Sequence, residues 1–86
     1  MNTPLARVKP RAPRSQSRIY WRGNTPHRCE FCQRDFSGIF IDGKAENGWW
    51  VMMDPTCHRK WGTGLGTGKG QRYEQQTDGR WLKVEG

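Results

Sequence analysis

The apolar residues of this chain fall into short runs bounded by turn-forming residues, a pattern typical of short β-strands. A β-branched and aromatic run at 39–42 and an apolar run at 49–53 flank residues 43–48, which end in Asn-Gly. This arrangement predicts a β-hairpin. A second hairpin is predicted for 71–76 and 80–84, because the Asp-Gly between them is a strong tight-turn signal.

Two tryptophans stand side by side at the start of the second predicted strand. Because successive side chains of a strand point to opposite faces, one of Trp49 and Trp50 is expected to enter the core. The other is expected to be exposed or packed against the tail, and it is a candidate contact for a partner. In the last hairpin, Trp81 and Leu82 are likewise expected on opposite faces.

A short helix is predicted between the two hairpins, from Asp54-Pro55 through Trp61. Aspartate is a favoured N-cap, and proline is favoured at the first helical position. Gly62 directly after the helix is a suitable C-terminal stop. The chain therefore reads as hairpin, helix and hairpin, which indicates a small α+β domain.

A glycine-rich run follows the helix, with glycine at every second position of residues 62–70. Its spacing matches neither the Walker A loop nor G-x-G-x-x-G. One interpretation is a loop whose backbone N–H groups contact phosphate, with charge added by Lys69 and Arg72. The other is a loop that passes close to the helix or another backbone segment, with Leu65 as its anchor.

The cysteines form the pattern C-x2-C-x21-D-x2-C, which predicts a metal site. A tight knuckle lets the thiolates of Cys29 and Cys32 face one point, as a tetrahedral zinc ion requires. Asp54 and Cys57 share the same spacing at the helix start, and a carboxylate is an acceptable zinc ligand. We predict that Zn²⁺ is bound by Cys29, Cys32, Asp54 and Cys57.

The fourth ligand and the fold class follow from the same stretch of sequence. His58, His27 or a water molecule are alternatives to Asp54, whose other expected role is the N-cap of the helix. Free buried thiols or a disulfide are the alternatives to a metal site.

The order of knuckle, hairpin and helix describes a treble clef, to which a C-terminal β-hairpin is added.

The composition favours a metal-stabilised domain over one held together by a large core. The chain has 86 residues, and its mean hydropathy is −1.03. A core this small usually needs a covalent or metal staple. Three cysteines cannot all pair within one chain, and no apolar stretch suits a secretory signal or a membrane span. We therefore expect a reducing, intracellular setting and no membrane partner.

The whole net charge of +7 lies ahead of the knuckle. Residues 1–28 contain seven Lys or Arg and no acidic residue, whereas residues 29–86 contain eight of each sign. Residues 1–18 are rich in proline and poor in apolar side chains, which predicts a basic arm that is disordered when free, ahead of a domain at 19–86. The candidate nucleic-acid-binding or partner-binding residues are Arg7, Lys9, Arg11, Arg14, Arg18, Tyr20, Trp21, Arg22, Lys69 and Arg72.

The first apolar cluster, residues 19–21, allows two interpretations. Tyr20 and Trp21 are flanked by Arg18 and Arg22, so they could stack on nucleic-acid bases. Aromatic side chains in this position also commonly pack on the neighbouring domain.

Residues 27–86 resemble small zinc-finger-like proteins encoded by bacteriophages and prophages. The resemblance lies in Cys29–Cys32, in Asp54–His58 and in the stretch from Gly64 to Tyr73. In that family the helix pair looks like C-P-x-C-H, and here Asp54 takes the place of the first cysteine. The resemblance implies a zinc-binding treble clef, a phage origin, a small accessory role and a location in the cytoplasm of a bacterial host.

Two functions fit these features. The first is a non-enzymatic nucleic-acid-binding module, in which the arm releases counterions and aromatic and arginine side chains stack on bases. The second is a phage-encoded inhibitor that binds an acidic surface of a host protein, such as RNA polymerase, a nuclease or an immunity complex. An HNH-type nuclease is disfavoured, because His58 is its only hint and four protein ligands would leave no open position for water.

Overall fold

The computed structural model describes residues 18–86 as a four-stranded antiparallel sheet with one helix. The elements are β1 (Ile39–Lys44), β2 (Trp50–Met53), α1 (Pro55–Trp61), β3 (Gly70–Gln75) and β4 (Trp81–Glu85). The predicted α+β class, both hairpins and the helix are confirmed, with boundaries shifted by one or two residues. Of the predicted arm, all but Arg18 lies outside the described residues, and so do Arg7, Lys9, Arg11 and Arg14. Within 18–86, no helix has the length and apolarity needed to cross a membrane.

The strand order β2-β1-β3-β4 places β1 and β3 at the centre of the sheet. Ile41 of β1 lies opposite Met53 of β2, and Phe40 of β1 lies opposite Tyr73 of β3. The two predicted hairpins are therefore joined side by side through β1 and β3. The connection between β2 and β3 contains α1 and the glycine-rich run.

The two faces of the sheet are covered by two apolar clusters, because side chains alternate along β1. The aromatic cluster has a buried centre of Phe40, Tyr73 and Trp81. The thiol-side cluster consists of Cys29, Ile41, Met53 and Cys57. Phe36 packs against both clusters and so connects the two halves of the core. Leu82 is half-buried while Trp81 is buried, in agreement with their predicted opposite faces.

Residues 19–21 run along the outer edge of β4. The N–H of Lys83 donates to the carbonyl of Ile19 at 2.7 Å, and the N–H of Trp21 donates to the carbonyl of Trp81 at 2.9 Å. This short segment therefore extends the sheet beyond β4 and fixes the point at which the chain enters the domain.

The side chains of this segment pack on the domain. The Trp21 ring meets the Phe40 ring edge-on at 5.2 Å, and its indole N–H donates to the carbonyl of Asn24 at 2.8 Å. The guanidinium of Arg80 lies 3.9 Å from the centre of the Tyr20 ring. The expected packing of these aromatics is confirmed, whereas base stacking by them stays a prediction.

Neither tryptophan of the Trp49-Trp50 pair enters the core, contrary to the sequence-based expectation. Trp49 is 71% exposed and Trp50 is 47% exposed. The alternation rule failed because β2 begins only at Trp50, so Trp49 belongs to the turn. The apolar clusters cover the sheet farther along β2, at Val51, Met52 and Met53.

The glycine-rich run packs closely against β1 and α1, as one of its two interpretations required. Leu65 packs against the thiol-side cluster, and the carbonyl of Lys69 accepts a hydrogen bond from the N–H of Lys44 at 2.8 Å. A side chain at Gly70 would bring its Cβ to 3.0 Å from the carbonyl oxygen of Gly64. Close approach of backbone segments therefore explains the glycine here.

Gly62 follows α1 as predicted, but without the left-handed backbone that glycine commonly adopts after a helix. Its backbone is extended, with φ of −80° and ψ of 170°. A Cβ at this position would collide with the ring and the carbonyl oxygen of His58. The requirement for glycine is thus steric, and it follows from the position of the His58 side chain.

Candidate metal centre

The knuckle is a tight turn closed by backbone hydrogen bonds around Cys29. The N–H of Cys29 donates to the carbonyl of Arg34, and the N–H of Gln33 donates to the carbonyl of Cys29, each at 2.9 Å. The N–H groups of Phe31 and Cys32 point at the Cys29 sulfur, at 3.4 and 3.5 Å. This turn holds the first two thiols together and gives one sulfur two hydrogen-bond donors, which favour its thiolate form.

The knuckle is attached to the outer edge of β2 by Glu30. The N–H of Glu30 donates to the carbonyl of Met52 at 2.9 Å, and a carboxylate oxygen of Glu30 accepts from the N–H of Met52 at 2.7 Å. Because Met53 is followed at once by Asp54, these two bonds hold the knuckle next to the start of α1.

The start of α1 supplies the other two candidate ligands through a single N-cap. One carboxylate oxygen of Asp54 accepts a hydrogen bond from the N–H of Cys57 at 2.7 Å, which is the geometry of an N-cap. The other oxygen accepts from the Cys32 thiol at 3.1 Å. The predicted N-cap role of Asp54 is therefore confirmed, and its second oxygen is directed at the thiol of Cys32.

Cys29, Cys32, Asp54 and Cys57 lie close together and could hold a metal ion. Their ligand atoms all lie within 4.8 Å of one another. Sulfur atoms about 2.3 Å from a tetrahedral zinc ion would be roughly 3.8 Å apart, so only a small contraction is needed. Cys29 and Cys57 are buried, Asp54 is half-buried and Cys32 is exposed. The group of four therefore lies at the edge of the core, with Cys32 on its solvent-exposed side.

The two histidines considered as fourth ligands are directed elsewhere. Nε2 of His58 lies 3.0 Å from the carbonyl oxygen of Gly64, so this ring contacts the glycine-rich run. His27 is exposed and lies outside the group of four. Among the alternatives weighed from the sequence, the geometry therefore selects Asp54.

The ionisation of the four groups differs. Burial and then hydrogen bonds with the thiols of Cys29 and Cys32 raise the pKa of Cys57 to about 12. Burial also raises the pKa of Cys29, but hydrogen bonds led by the N–H of Cys32 outweigh it and leave that pKa below its ordinary value. For Asp54, burial is outweighed by the N–H of Cys57 and the thiol of Cys32, so its pKa is lowered. An incoming cation thus meets a carboxylate first and displaces thiol protons as it binds.

Replacing Asp54 by Asn and by Ala will separate its two roles. Asn keeps a capping oxygen but loses the charge, whereas Ala loses both. Since changes to groups that only orient a ligand cost 10- to 100-fold in metal affinity, we expect both variants to bind Zn²⁺ at least about tenfold more weakly. Asp54→Ala should lose a further ~0.5–2 kcal/mol of stability for the missing cap.

Competition with a chromophoric chelator measures the affinity, and thermal denaturation measures the cap. Asp35→Asn is the matched control, because Asp35 is an exposed acid on the same knuckle outside the group of four. Wild-type zinc affinity in Asp54→Asn would remove Asp54 from the ligand set.

The candidate nucleic-acid-binding residues within 18–86 are distributed over the molecule. Arg18 and Arg22 are exposed beside β4, and Lys69 is exposed in the loop before β3. Arg72 is half-buried and lies 3.8 Å from a carboxylate oxygen of Glu74. Tyr20 and Trp21 lie along β4, as described above.

The exposed aromatic rings away from β4 were largely missed by sequence reasoning. Phe31, Trp49, Trp50 and Trp61 are between 38% and 71% exposed. The only signal in the sequence was the pair Trp49-Trp50 at a strand start, and from it only one of the two rings was predicted to be a partner contact. No protein-family model, curated protein or solved structure matches this chain.

Proposed function

We propose that this protein is a non-enzymatic, phage-type accessory protein in which a zinc ion stabilises a nucleic-acid-binding domain. Zinc is favoured because three thiols and one carboxylate at four converging positions suit a tetrahedral, thiolate-rich site. The knuckle, the β1–β2 hairpin and α1, with ligands from the knuckle and the helix start, support a treble-clef arrangement.

The proposal of a structural rather than catalytic ion rests on the ligand count. Catalytic zinc keeps one position open for water or substrate, whereas structural zinc has four protein ligands. Four protein groups converge here, and His58 contacts the glycine-rich run instead of the cluster. Activated-water chemistry therefore has no group to perform it at this centre.

The observation that carries nucleic-acid binding is the excess of cations without a local carboxylate partner. Eleven Lys or Arg and eight Asp or Glu lie in residues 18–86, and residues 1–17 add four Lys or Arg and no acid. Within the described part of the chain, only Arg28, Arg72 and Arg80 form ion pairs. Exposed cations of this kind bind phosphates by releasing counterions.

Salt dependence of binding tests this function. Affinity of the full chain for labelled single-stranded DNA and RNA should fall steeply between about 50 and 200 mM salt. Exchanging the four arm cations Arg7, Lys9, Arg11 and Arg14 for Gln should reduce the log–log slope by about 3, since each contact to a single strand contributes ~0.7. The control exchanges Arg28 and Arg80, which already have carboxylate partners, and should change the slope less.

Absence of binding to both nucleic acids at low salt would contradict the proposal. Recovery of one stoichiometric protein from a nuclease-treated bacterial lysate would instead support the inhibitor function. The exposed tryptophans are the observation that favours this second candidate, because Trp commonly anchors protein interfaces.

A further inference from the structure

Exposed aromatic rings collect at one end of the sheet, which we call the hairpin end. It comprises the turn between β1 and β2, the C-terminus of α1 and the start of β3. These three parts lie side by side, because Gly43 pairs with Gly70 and Ala45 forms a β-bridge with Gly62. Trp49 and Trp50 lie at the turn, and Trp61 is the last residue of α1. Soluble domains seldom expose several large rings in one region without a binding role.

Two of these rings form the walls of one small cleft. Phe31 from the knuckle and Trp61 from α1 line a cleft of about 260 Å³ together with the turn residues Ala45, Glu46 and Asn47. The cleft is smaller than the ~300–1,000 Å³ typical of pockets for drug-sized ligands, which suits a single planar group. The N–H of Glu46 donates to the carbonyl of Trp61 at 2.7 Å, so the turn and the helix end are held together.

Cations surround these rings. Arg59 and Lys60 precede Trp61, and Lys44 lies opposite Trp50 in the sheet. Lys69 is next to Lys44, since the N–H of Lys44 donates to the Lys69 carbonyl. None of these four cations forms an ion pair within residues 18–86, and Glu46 is the acid that lines the cleft. The charge around the rings is therefore positive.

The basic arm enters the domain at the same end of the sheet. Residues 19–21 run antiparallel to β4, with Ile19 beside Lys83, so the chain before them comes from the C-terminal end of β4. Glu85 of β4 pairs with Arg72 near the start of β3, which places this entry at the level of the hairpin end. Arg18, at which the described part of the chain begins, therefore lies toward the end that carries the exposed rings.

We propose that the hairpin end binds single-stranded nucleic acid, with a base inserted between Phe31 and Trp61, a further base on Trp49, and phosphates at Lys44, Lys60 and Lys69. The inference rests on the proposed function and assigns it a surface and a ligand class. Exposed ring faces can stack only on unstacked bases, which single strands offer and duplexes do not.

Two other partners fit this surface less well. Duplex reading by a recognition helix in the major groove is disfavoured, because α1 has only seven residues and its first turn carries Asp54 and Cys57 of the candidate metal centre. Protein interfaces are depleted of charged residues at their centre, whereas lysines are interleaved with the rings here. Tyr20, the other candidate for stacking, already lies under the Arg80 guanidinium.

Binding of the zinc-loaded full chain to oligo(dT) and oligo(U) of about 12 nucleotides tests the proposal, because such a length covers one compact site. Trp61→Ala should weaken binding of at least one oligonucleotide by roughly 5- to 150-fold, the value of one base–aromatic stack. The two oligonucleotides distinguish DNA from RNA, and a duplex of equal length should bind more weakly than either. Lys60→Gln should lower the salt slope by about 0.7.

The matched controls lie at the β4 side of the domain. Val84→Ala, a change at an exposed apolar residue of β4, and Lys83→Gln should leave the affinity at its wild-type value. Zinc content and thermal transition of each variant show that it is folded, and Trp49→Ala, a change at a 71% exposed turn residue, tests the same surface if Trp61→Ala fails to fold.

Four results would overturn the inference. Wild-type affinity in a Trp49→Ala/Trp61→Ala variant, with binding lost when the arm cations are exchanged, would refute this surface and leave the proposed function intact. Equal affinity for the duplex would refute the ligand class. If the Trp61→Ala variant no longer bound a stoichiometric protein partner but still bound the oligonucleotides, the surface would be assigned to protein binding. Absence of all oligonucleotide binding would refute the function as well.

Discussion

Removal of the proposed zinc ion by a chelator is expected to unfold the domain. The ion would link the knuckle to the start of α1, and two of its ligands, Cys29 and Cys57, make up half of the buried thiol-side cluster. Structural zinc contributes roughly 10–16 kcal/mol in zinc-finger peptides, which equals or exceeds the total ~5–15 kcal/mol of a typical domain. Without the ion, the remaining packing on that face is too small to hold the knuckle and helix in place.

Far-ultraviolet circular dichroism during chelation, followed by readdition of Zn²⁺, measures this effect. Each of the variants Cys29→Ser and Cys57→Ser should show the same loss without chelator. Asp35→Asn, outside the ligand group, is the control and should respond like the wild type. An unchanged thermal transition in protein shown by elemental analysis to be metal-free would refute a structural role of the ion.

Replacement of Phe40 by Ala is expected to cost about 3–5 kcal/mol, the range for removing a buried aromatic ring. Phe40 is fully buried, and the rings of Tyr73, Trp81, Trp21 and Phe36 all have their centres within 5.4 Å of its own. Since ~1 kcal/mol shifts the thermal midpoint of a small domain by about 4–8 °C, the midpoint should fall by roughly 12–40 °C.

Urea denaturation of the zinc-loaded protein provides the free energy of unfolding. Phe31→Ala is the matched control, because it removes the same side chain from an exposed position and should change stability by less than about 0.5 kcal/mol. A loss of less than about 0.5 kcal/mol in Phe40→Ala would show that the aromatic cluster does not stabilise the fold.

The elements and the convergence of Cys29, Cys32, Asp54 and Cys57 could be predicted because their signals are local. Asn-Gly and Asp-Gly mark turns by backbone preference, and Asp54-Pro55 marks a helix start by capping chemistry. The C-x2-C knuckle brings two thiols together through a few residues alone. Asp54 could be favoured over the histidines because the first helical turn orients it with Cys57.

The arrangement of the hairpins could not be predicted, because it depends on contacts distant in sequence. β1 pairs with β3 of the other hairpin, where Phe40 lies opposite Tyr73 and both rings belong to the aromatic cluster. The exposure of Trp49 and Trp50 has the same origin, since a local alternation rule does not show where the covered part of a strand ends. Nor does sequence show that His58 faces Gly64.

The hydrogen bonds of Glu30 with Met52, and those of residues 19–21 with Trp81 and Lys83, have a consequence for recognition. They occupy outward-facing backbone groups on both outer strands of the sheet. An extended peptide that docks by adding a strand needs such groups free. A docking strand would therefore find the outward groups of Met52, Trp81 and Lys83 already bonded, which disfavours edge-to-edge association of two copies at these positions.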